Sequence, residues 1–172
     1  MNLIKEVPPG TADEMNVIVE IPKGSKNKYE IDKKTGLIAL DRVFYTTQDC
    51  PFDYGFVPQT LWEDGDPLDV VLLTTNPLFP GVLVKARPVG VMHMLDDNED
   101  DAKIIAVPVK DPRWEHVQDL GDVNSHTLKE MEHYFSTYKN LQKKVVKVEG
   151  FETKDKAKAI FNKALELYAH GK

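Results

Sequence analysis

Cysteine is nearly absent: Cys50 is the single one in 172 residues. One thiol excludes an internal disulfide, a cysteine-built zinc site and a CxxC redox pair. Long apolar runs are missing too. No stretch approaches the roughly 18 residues that a membrane span requires, and Met1 to Pro9 has no apolar signal-peptide segment. Arginine is scarce, at Arg42, Arg87 and Arg113, and Lys plus Arg number 22 against 28 Asp plus Glu, a net charge of −6. An acidic surface repels phosphodiester backbones and argues against a nucleic-acid partner. Neither a GxxxxGK[ST] loop nor a GxGxxG turn occurs, so no recognised nucleotide cradle is present. His93, His116, His126, His133 and His170 show no HExxH or paired-ligand spacing. A soluble, reduced, cytoplasmic protein without a membrane partner is the expectation.

What is present is enough for one core. Hydrophobic residues make up 41%, and a chain of this length buries roughly 70% of its unfolded surface. No repeat, low-complexity tract or linker divides it, so residues 1–172 read as a single domain. The first two-thirds has the period of β-structure. Met15, Val17, Val19 and Ile21 alternate with Asn16, Ile18 and Glu20 up to Pro22. Tyr29 and Ile31 face one way and Lys28, Glu30 and Asp32 the other. Lys33-Lys34-Thr35-Gly36 reads as a turn, with Leu37 to Val43 as the returning arm. Further short apolar runs lie at 70–73, 82–86, 89–92, 104–109 and 145–148. Such strands, separated by Gly and Pro turns, predict a mainly β protein of the α+β class built on a small closed barrel.

Two helices are expected late in the chain, packed outside that barrel. Leu128, Met131, Phe135 and Tyr138 recur at helical spacing, with Thr127 and Glu130 as a capping box or Ser125 as a rival N-cap. Ala157, Ile160, Phe161, Ala164, Leu165 and Tyr168 form the second stripe. Both stripes read as core.

The most informative stretch is Glu63-Asp64-Gly65-Asp66-Pro67-Leu68-Asp69-Val70. Gly65 and Pro67 exclude a regular helix and leave a tight loop entering a strand. Carboxylates this dense repel one another unless a cation or water compensates, and hard oxygen donors suit Mg²⁺ or Mn²⁺ better than zinc. The pattern is not an EF-hand, because Asp69 stands where that loop needs glycine. On spacing alone, a solvated acidic turn explains the stretch equally well. A second cluster, Asp96-Asp97-Asn98-Glu99-Asp100-Asp101, reads as an exposed hairpin loop before another strand. Were the two strands neighbours, Asp64, Asp66, Asp69, Asp96 and Asp101 would meet at one rim, with carboxylates for two or more metals about 3.5–4 Å apart. Pooled negative charge of this kind suits an anionic substrate bridged by cations. Lys28, Glu30 and Arg42 share the hairpin; its exposed face reads either as ordinary solvated surface or as a source of phosphate contacts.

These residues resemble the soluble inorganic pyrophosphatases of the first, Mg-dependent, β-barrel family. Asp64-Gly65-Asp66-Pro67-Leu68-Asp69-Val70 is similar to that family's signature throughout. Glu20-Ile21-Pro22, Lys28-Tyr29-Glu30, Leu40-Asp41-Arg42, Tyr54-Gly55, Arg87-Pro88-Val89-Gly90-Val91, Asp101-Ala102-Lys103, Ala106-Val107-Pro108, Tyr138-Lys139 and Val148-Glu149-Gly150 look like further family blocks, in the family's order. The resemblance implies a barrel of the oligonucleotide-binding type that hydrolyses pyrophosphate to two orthophosphates with several Mg²⁺ ions, Mn²⁺ being a possible substitute. It implies that Asp64, Asp69 and Asp101 hold one metal, that Asp69 bridges to a second, and that Asp96 and Asp101 hold the metal arriving with substrate. Lys28, Arg42, Tyr54, Tyr138 and Lys139 would contact the phosphates. Asp66 would orient or deprotonate the attacking water, and Glu20, Glu30 and Lys103 would line the site. No covalent intermediate is implied, since phosphoryl transfer asks mainly for positioning and charge neutralisation. The prokaryotic-type members suggest a homohexamer. Two positions depart from the pattern: Cys50 stands where the family usually has tyrosine, and Asp97 where it often has glutamate. Cys50 is expected to be a packed thiol without a chemical role.

The rival functions are another metal-dependent phosphohydrolase such as a nucleotidase, a non-enzymatic divalent-cation binder, and a nucleic-acid-binding barrel. The missing nucleotide cradle opposes the first, and phosphate release from pyrophosphate separates the second from the pyrophosphatase reading. The acidic rim and net charge oppose the third.

Overall fold

A computed structural model describes residues 2–171; Met1 and Lys172, which the expected domain span includes, lie outside the described residues. Eight strands and two α-helices follow one another as β1 (Met15–Ile21), β2 (Asn27–Ile31), β3 (Ile38–Val43), β4 (Asp53–Phe56), β5 (Asp69–Leu72), β6 (Leu83–Asp96), β7 (Glu99–Pro108), α1 (Ser125–Thr137), β8 (Val146–Thr153) and α2 (Lys154–His170). Five strands close into a ring in the order β1-β4-β5-β7-β6, with β6 pairing back onto β1 and β8 added beside β6. This is the small closed barrel expected from the sequence, with one parallel pair, β5 with β7. Closure removes the unpaired edges that an open sheet of these strands would expose. At the crossing of β1 and β4 the backbones approach so closely that a Cβ on Gly55 would lie 2.0 Å from the Ile18 carbonyl oxygen, so only glycine fits.

Alternation divides the barrel residues between two apolar clusters. One gathers Met15, Val17, Val19, Val70, Leu72, Val91, Ile104 and Ala106 with the α2 stripe Ala157, Ile160, Phe161 and Ala164. The other gathers Ile21, Tyr54, Val71, Met92, Met94, Ile105 and Val107 with Met131, Tyr134 and Phe135 of α1. Each helix thus buries the face its spacing marked as apolar. A fully buried side chain of this size contributes about 1.5–3 kcal/mol. The β2–β3 hairpin forms a separate two-stranded sheet. Ile31 anchors it against Ile18 and Phe56, with Leu3, Ile4 and Val7 packed alongside.

The structure corrects three local expectations. The runs at 82–86 and 89–92 belong to one 14-residue strand, β6, which absorbs Pro88 through an irregularity between Pro88 and Gly90. A bulge of this kind is where a strand tolerates proline. The strict alternation of β1 fails between Val19 and Ile21, and Ile21 joins the second cluster rather than the first. The N-cap of α1 is neither Thr127 nor Ser125 but Asn124, whose side chain accepts from the His126 amide at 2.8 Å. The second acidic cluster is an exposed hairpin before a strand, as expected. Only Asp97 and Asn98 turn the chain, both at positive φ, as a two-residue hairpin needs; Asp96 ends β6 and Glu99, Asp100 and Asp101 begin β7.

Candidate active site

The site grows from the strand register. Asp69 opens β5 directly opposite Lys103 of β7 in the parallel ladder. Period-two geometry puts Asp69 on the face of Val71, and Asp101 and Lys103 on the face of Ile105. That face belongs to the cluster beneath α1, so the polar ends of β5 and β7 emerge beside the last turn of this helix. Tyr54 of β4 shares the face, since it pairs with Val71. The adjoining loop supplies Asp64 and Asp66. Gly65 at φ 86° lets it turn, the Asp66 amide donates to Asp64 Oδ1 at 3.0 Å, and the Trp62 amide donates to the Asp66 carbonyl. The hairpin brings Lys28 and Arg42, which face one another in its register, together with Glu30. Glu20 comes from β1, Asp96 from the end of β6, and Tyr138 and Lys139 from the end of α1.

All of these line one open cavity of about 260 Å³: Glu20, Lys28, Glu30, Arg42, Tyr54, Asp64, Asp66, Asp69, Asp96, Asp101, Lys103, Tyr138 and Lys139. Every side chain singled out from the sequence is therefore brought to the same place. Phe44, Phe52, Tyr134 and Phe135 complete an aromatic wall. Tyr134 stacks on Tyr138 with ring centroids 5.3 Å apart and an interplanar angle of 26°. Of the wall residues, Phe135 was read from sequence as core alone; helical spacing marks burial but not which buried rings reach a cavity. Lys33 also lines it, and its place in a polar turn gave no signal.

Lys103 is the hub. Its ammonium, 3% exposed as a residue, donates to Tyr54 Oη at 2.8 Å, to Asp69 Oδ2 at 2.8 Å and to both Asp101 oxygens at 3.0 and 3.1 Å. Burial works against its charge, yet Asp69 and Asp101 outweigh burial and hold its pKa above the ordinary lysine value. Lys139 pairs with Asp96, and Lys28 Nζ lies 2.5 Å from Glu30 Oε1. Among the described residues no three carboxylates stand close enough together to form a closed metal cage. Instead, Asp69, Asp96 and Asp101 each face a lysine ammonium.

The lysines do not satisfy all of the negative charge. Burial first, then the neighbouring Asp69 and Glu30, pushes the Glu20 carboxyl up to about 8. Burial raises Asp64 to about 6, with Asp69, Asp101 and Asp66 adding to the shift. Asp101 is raised as well, chiefly by burial. Carboxyls held partly protonated by burial and like charge are a donor set that a hard divalent cation relieves. The donors are all oxygen. Cys50 lines the cavity too, but burial pushes its thiol up to about 12, and its Sγ donates to the Phe52 carbonyl at 3.1 Å, so it is a packed thiol as expected.

A closed five-stranded barrel with an all-oxygen acidic cavity, faced by lysine, arginine and tyrosine, is the build of a metal-dependent phosphohydrolase. The chain matches the inorganic pyrophosphatase family over residues 17–169. An inorganic pyrophosphatase of Leifsonia xyli is 56% identical over 137 residues, covering 79% of this chain and 84% of the relative. One from Nostoc sp. is 47% identical, covering 90% and 91%. The crystal structure of inorganic pyrophosphatase from Thermus thermophilus superposes with a TM-score of 0.94 at 43% identity, covering 98% of this chain and 99% of that one. The chain belongs to the inorganic pyrophosphatase family, and hydrolysis of pyrophosphate to phosphate is its reaction.

Proposed function

We propose that the cavity carries out this hydrolysis with Mg²⁺, by direct attack of water and without a covalent intermediate. The observation that carries the assignment is the convergence of Asp64, Asp66, Asp69, Asp96 and Asp101, from two separate acidic segments, on one cavity that also holds Lys28, Arg42 and Lys139. Asp64, Asp69, Asp96 and Asp101 would hold the cations, Asp69 being shared between two of them. When bound, divalent ions lower the pKa of coordinated water and neutralise phosphate charge.

The protein's own groups do the rest. Asp66 is 67% exposed at its side chain and stands between Asp64 and Asp69 in the loop; its carboxylate orients the attacking water and takes up its proton. Lys28, Arg42 and Lys139 balance the charge that grows on the leaving phosphate. Tyr54 and Tyr138 serve as hydrogen-bond donors, because burial raises both phenols above the ordinary tyrosine value and keeps them protonated. Glu20 and Glu30 complete the polar lining.

A single domain performs this chemistry. Among the described residues no helix is long and apolar enough to cross a membrane, and we place the protein in the cytoplasm. Exposed Leu40, Val43, Phe79 and Leu83 support association with further copies, and a homohexamer is the state we propose, with light scattering as its check. The deciding assay incubates purified protein with pyrophosphate or ATP, in Mg²⁺ or in EDTA, and measures released phosphate. Rapid release from pyrophosphate in Mg²⁺, with little from ATP and none in EDTA, is the expected result. Equal release from ATP would move the protein to a broader phosphohydrolase class.

A further inference from the structure

Two preorganised segments face one another across the cavity. The tip of the hairpin is held by Asp32, whose Oδ1 accepts from the Lys34 amide at 3.1 Å, the Thr35 amide at 2.7 Å and the Thr35 hydroxyl at 2.7 Å. The Gly36 amide closes the turn on the Asp32 carbonyl at 2.8 Å. The acidic loop opposite is held by the Asp64 side chain and by the backbone bonds between Trp62, Gly65 and Asp66. Lys33 projects from the first of these segments to the second, with its ammonium 3.5 Å from Asp66 Oδ1. The other paired cations of the hairpin have partners within it, Lys28 on Glu30 and Arg42 on Asp41, or at its base, Lys26 on Asp49. Lys33 is thus the hairpin cation whose partner lies on the acidic loop.

We propose that Lys33 is a positioning residue for the pyrophosphatase reaction: by pairing across the cavity mouth it fixes where the Asp66 carboxylate stands. This rests on the reading of Asp66 as the group that orients water. Both side chains are largely exposed, at 74% and 67%, and exposed ion pairs contribute little to folding. A stabilising role therefore does not account for the contact. A geometric role does, because a displacement of about 1 Å at a reacting group can cost on the order of 100-fold in rate. Lys33 acts through Asp66, so its removal lowers turnover while leaving the affinity for pyrophosphate set by Lys28, Arg42 and Lys139.

The test compares Lys33→Gln, Lys33→Arg, Asp66→Asn and the double variant Lys33→Gln/Asp66→Asn in Mg²⁺. Lys33→Gln is expected to lower kcat about five-fold with KM for pyrophosphate changed less than two-fold and an unchanged melting temperature. Lys33→Arg is expected to restore most of the turnover, and the residual turnover of Asp66→Asn is expected not to fall further when Lys33→Gln is added. Unchanged kcat in Lys33→Gln would reduce the contact to a surface ion pair and overturn the proposal. A raised KM at constant kcat, persisting in the Asp66→Asn background, would make Lys33 a direct substrate contact and overturn it equally. Failure of the underlying reading looks different: Asp66→Asn alone would then turn over like the native protein.

Discussion

Asp69 and Lys103 are paired residue to residue across the parallel β5–β7 ladder, and the ammonium reaches the carboxylate at 2.8 Å. A buried lysine thus stands among the carboxylates proposed to hold metal, touching Asp101 as well. It lowers the cost of assembling those acids before any cation arrives. Removing one partner of a buried pair typically costs about 3–5 kcal/mol, because the other charge is left without compensation. Lys103→Met is therefore expected to lose that much stability in urea denaturation with EDTA, and to regain a substantial part of it in millimolar Mg²⁺. An equal loss in both conditions would mean that cations do not enter between Asp69 and Asp101.

Asp66 lies between two proposed ligands yet is not one of them. Asp66→Asn keeps the size of the side chain and removes its capacity to accept the proton of water. Turnover is expected to fall about 10²–10⁴-fold, the usual range for loss of a positioned general base. Calorimetric titration with Mg²⁺ is expected to show affinity within about two-fold of native. A matching loss of Mg²⁺ affinity would reassign Asp66 to ligation.

The sequence made the site's membership legible but not its assembly. Spacing within Asp64–Asp69 raised the metal reading while leaving a solvated turn equally open. What brings the two acidic segments to one cavity is the parallel pairing of β5 with β7, a contact between strands more than thirty residues apart that no local pattern reveals. The resemblance, not the spacing, named Tyr138, Lys139 and Glu20 as members of one site. Strand β4 was missed because Asp53 and Gly55 are residue types depleted in strands; burial overrides that preference, and Asp53, 0% exposed, is satisfied by the Lys23 and Leu78 amides and the Thr74 hydroxyl. Pro88 argued for a break in β6, and a bulge carries the strand through it instead. Lys33 was invisible because a lysine in a polar turn has the composition of plain solvent-facing surface.

Arg42 lies opposite Lys28 on the hairpin and donates from one guanidinium nitrogen to Asp41 at 2.8 Å. The rest of its fork is free to grip a phosphate with two parallel bonds, a geometry that lysine lacks. Arg42→Lys keeps the charge and loses the fork. A rise of about ten-fold in KM for pyrophosphate is expected, with Mg²⁺ affinity unchanged. Steady-state kinetics at fixed free Mg²⁺ provide the check, and native kinetics in this variant would place Arg42 outside the substrate's reach.

Glu20 gives the cavity a pH signature of its own. In the folded chain, burial and then the negative charge of Asp69 push its carboxyl up to about 8, from an ordinary value of 4.5. Between those values the folded protein holds a proton that the unfolded chain has released. Stability in EDTA must therefore be greatest below about pH 4.5 as far as Glu20 is concerned, and must decline as pH rises through about 8. Glu20→Gln removes this dependence without removing the side chain's bulk. Measured against the native protein by urea denaturation in EDTA, the variant is expected to gain about 4 kcal/mol between pH 5 and pH 9. In Mg²⁺ the gain is expected to shrink in part, because cations beside Asp69 would cancel the repulsion that adds to burial in keeping Glu20 protonated. A native protein whose stability relative to Glu20→Gln is flat from pH 5 to pH 9 in EDTA would show that this carboxyl is ionised in the fold, and would remove it from the buried lining of the site.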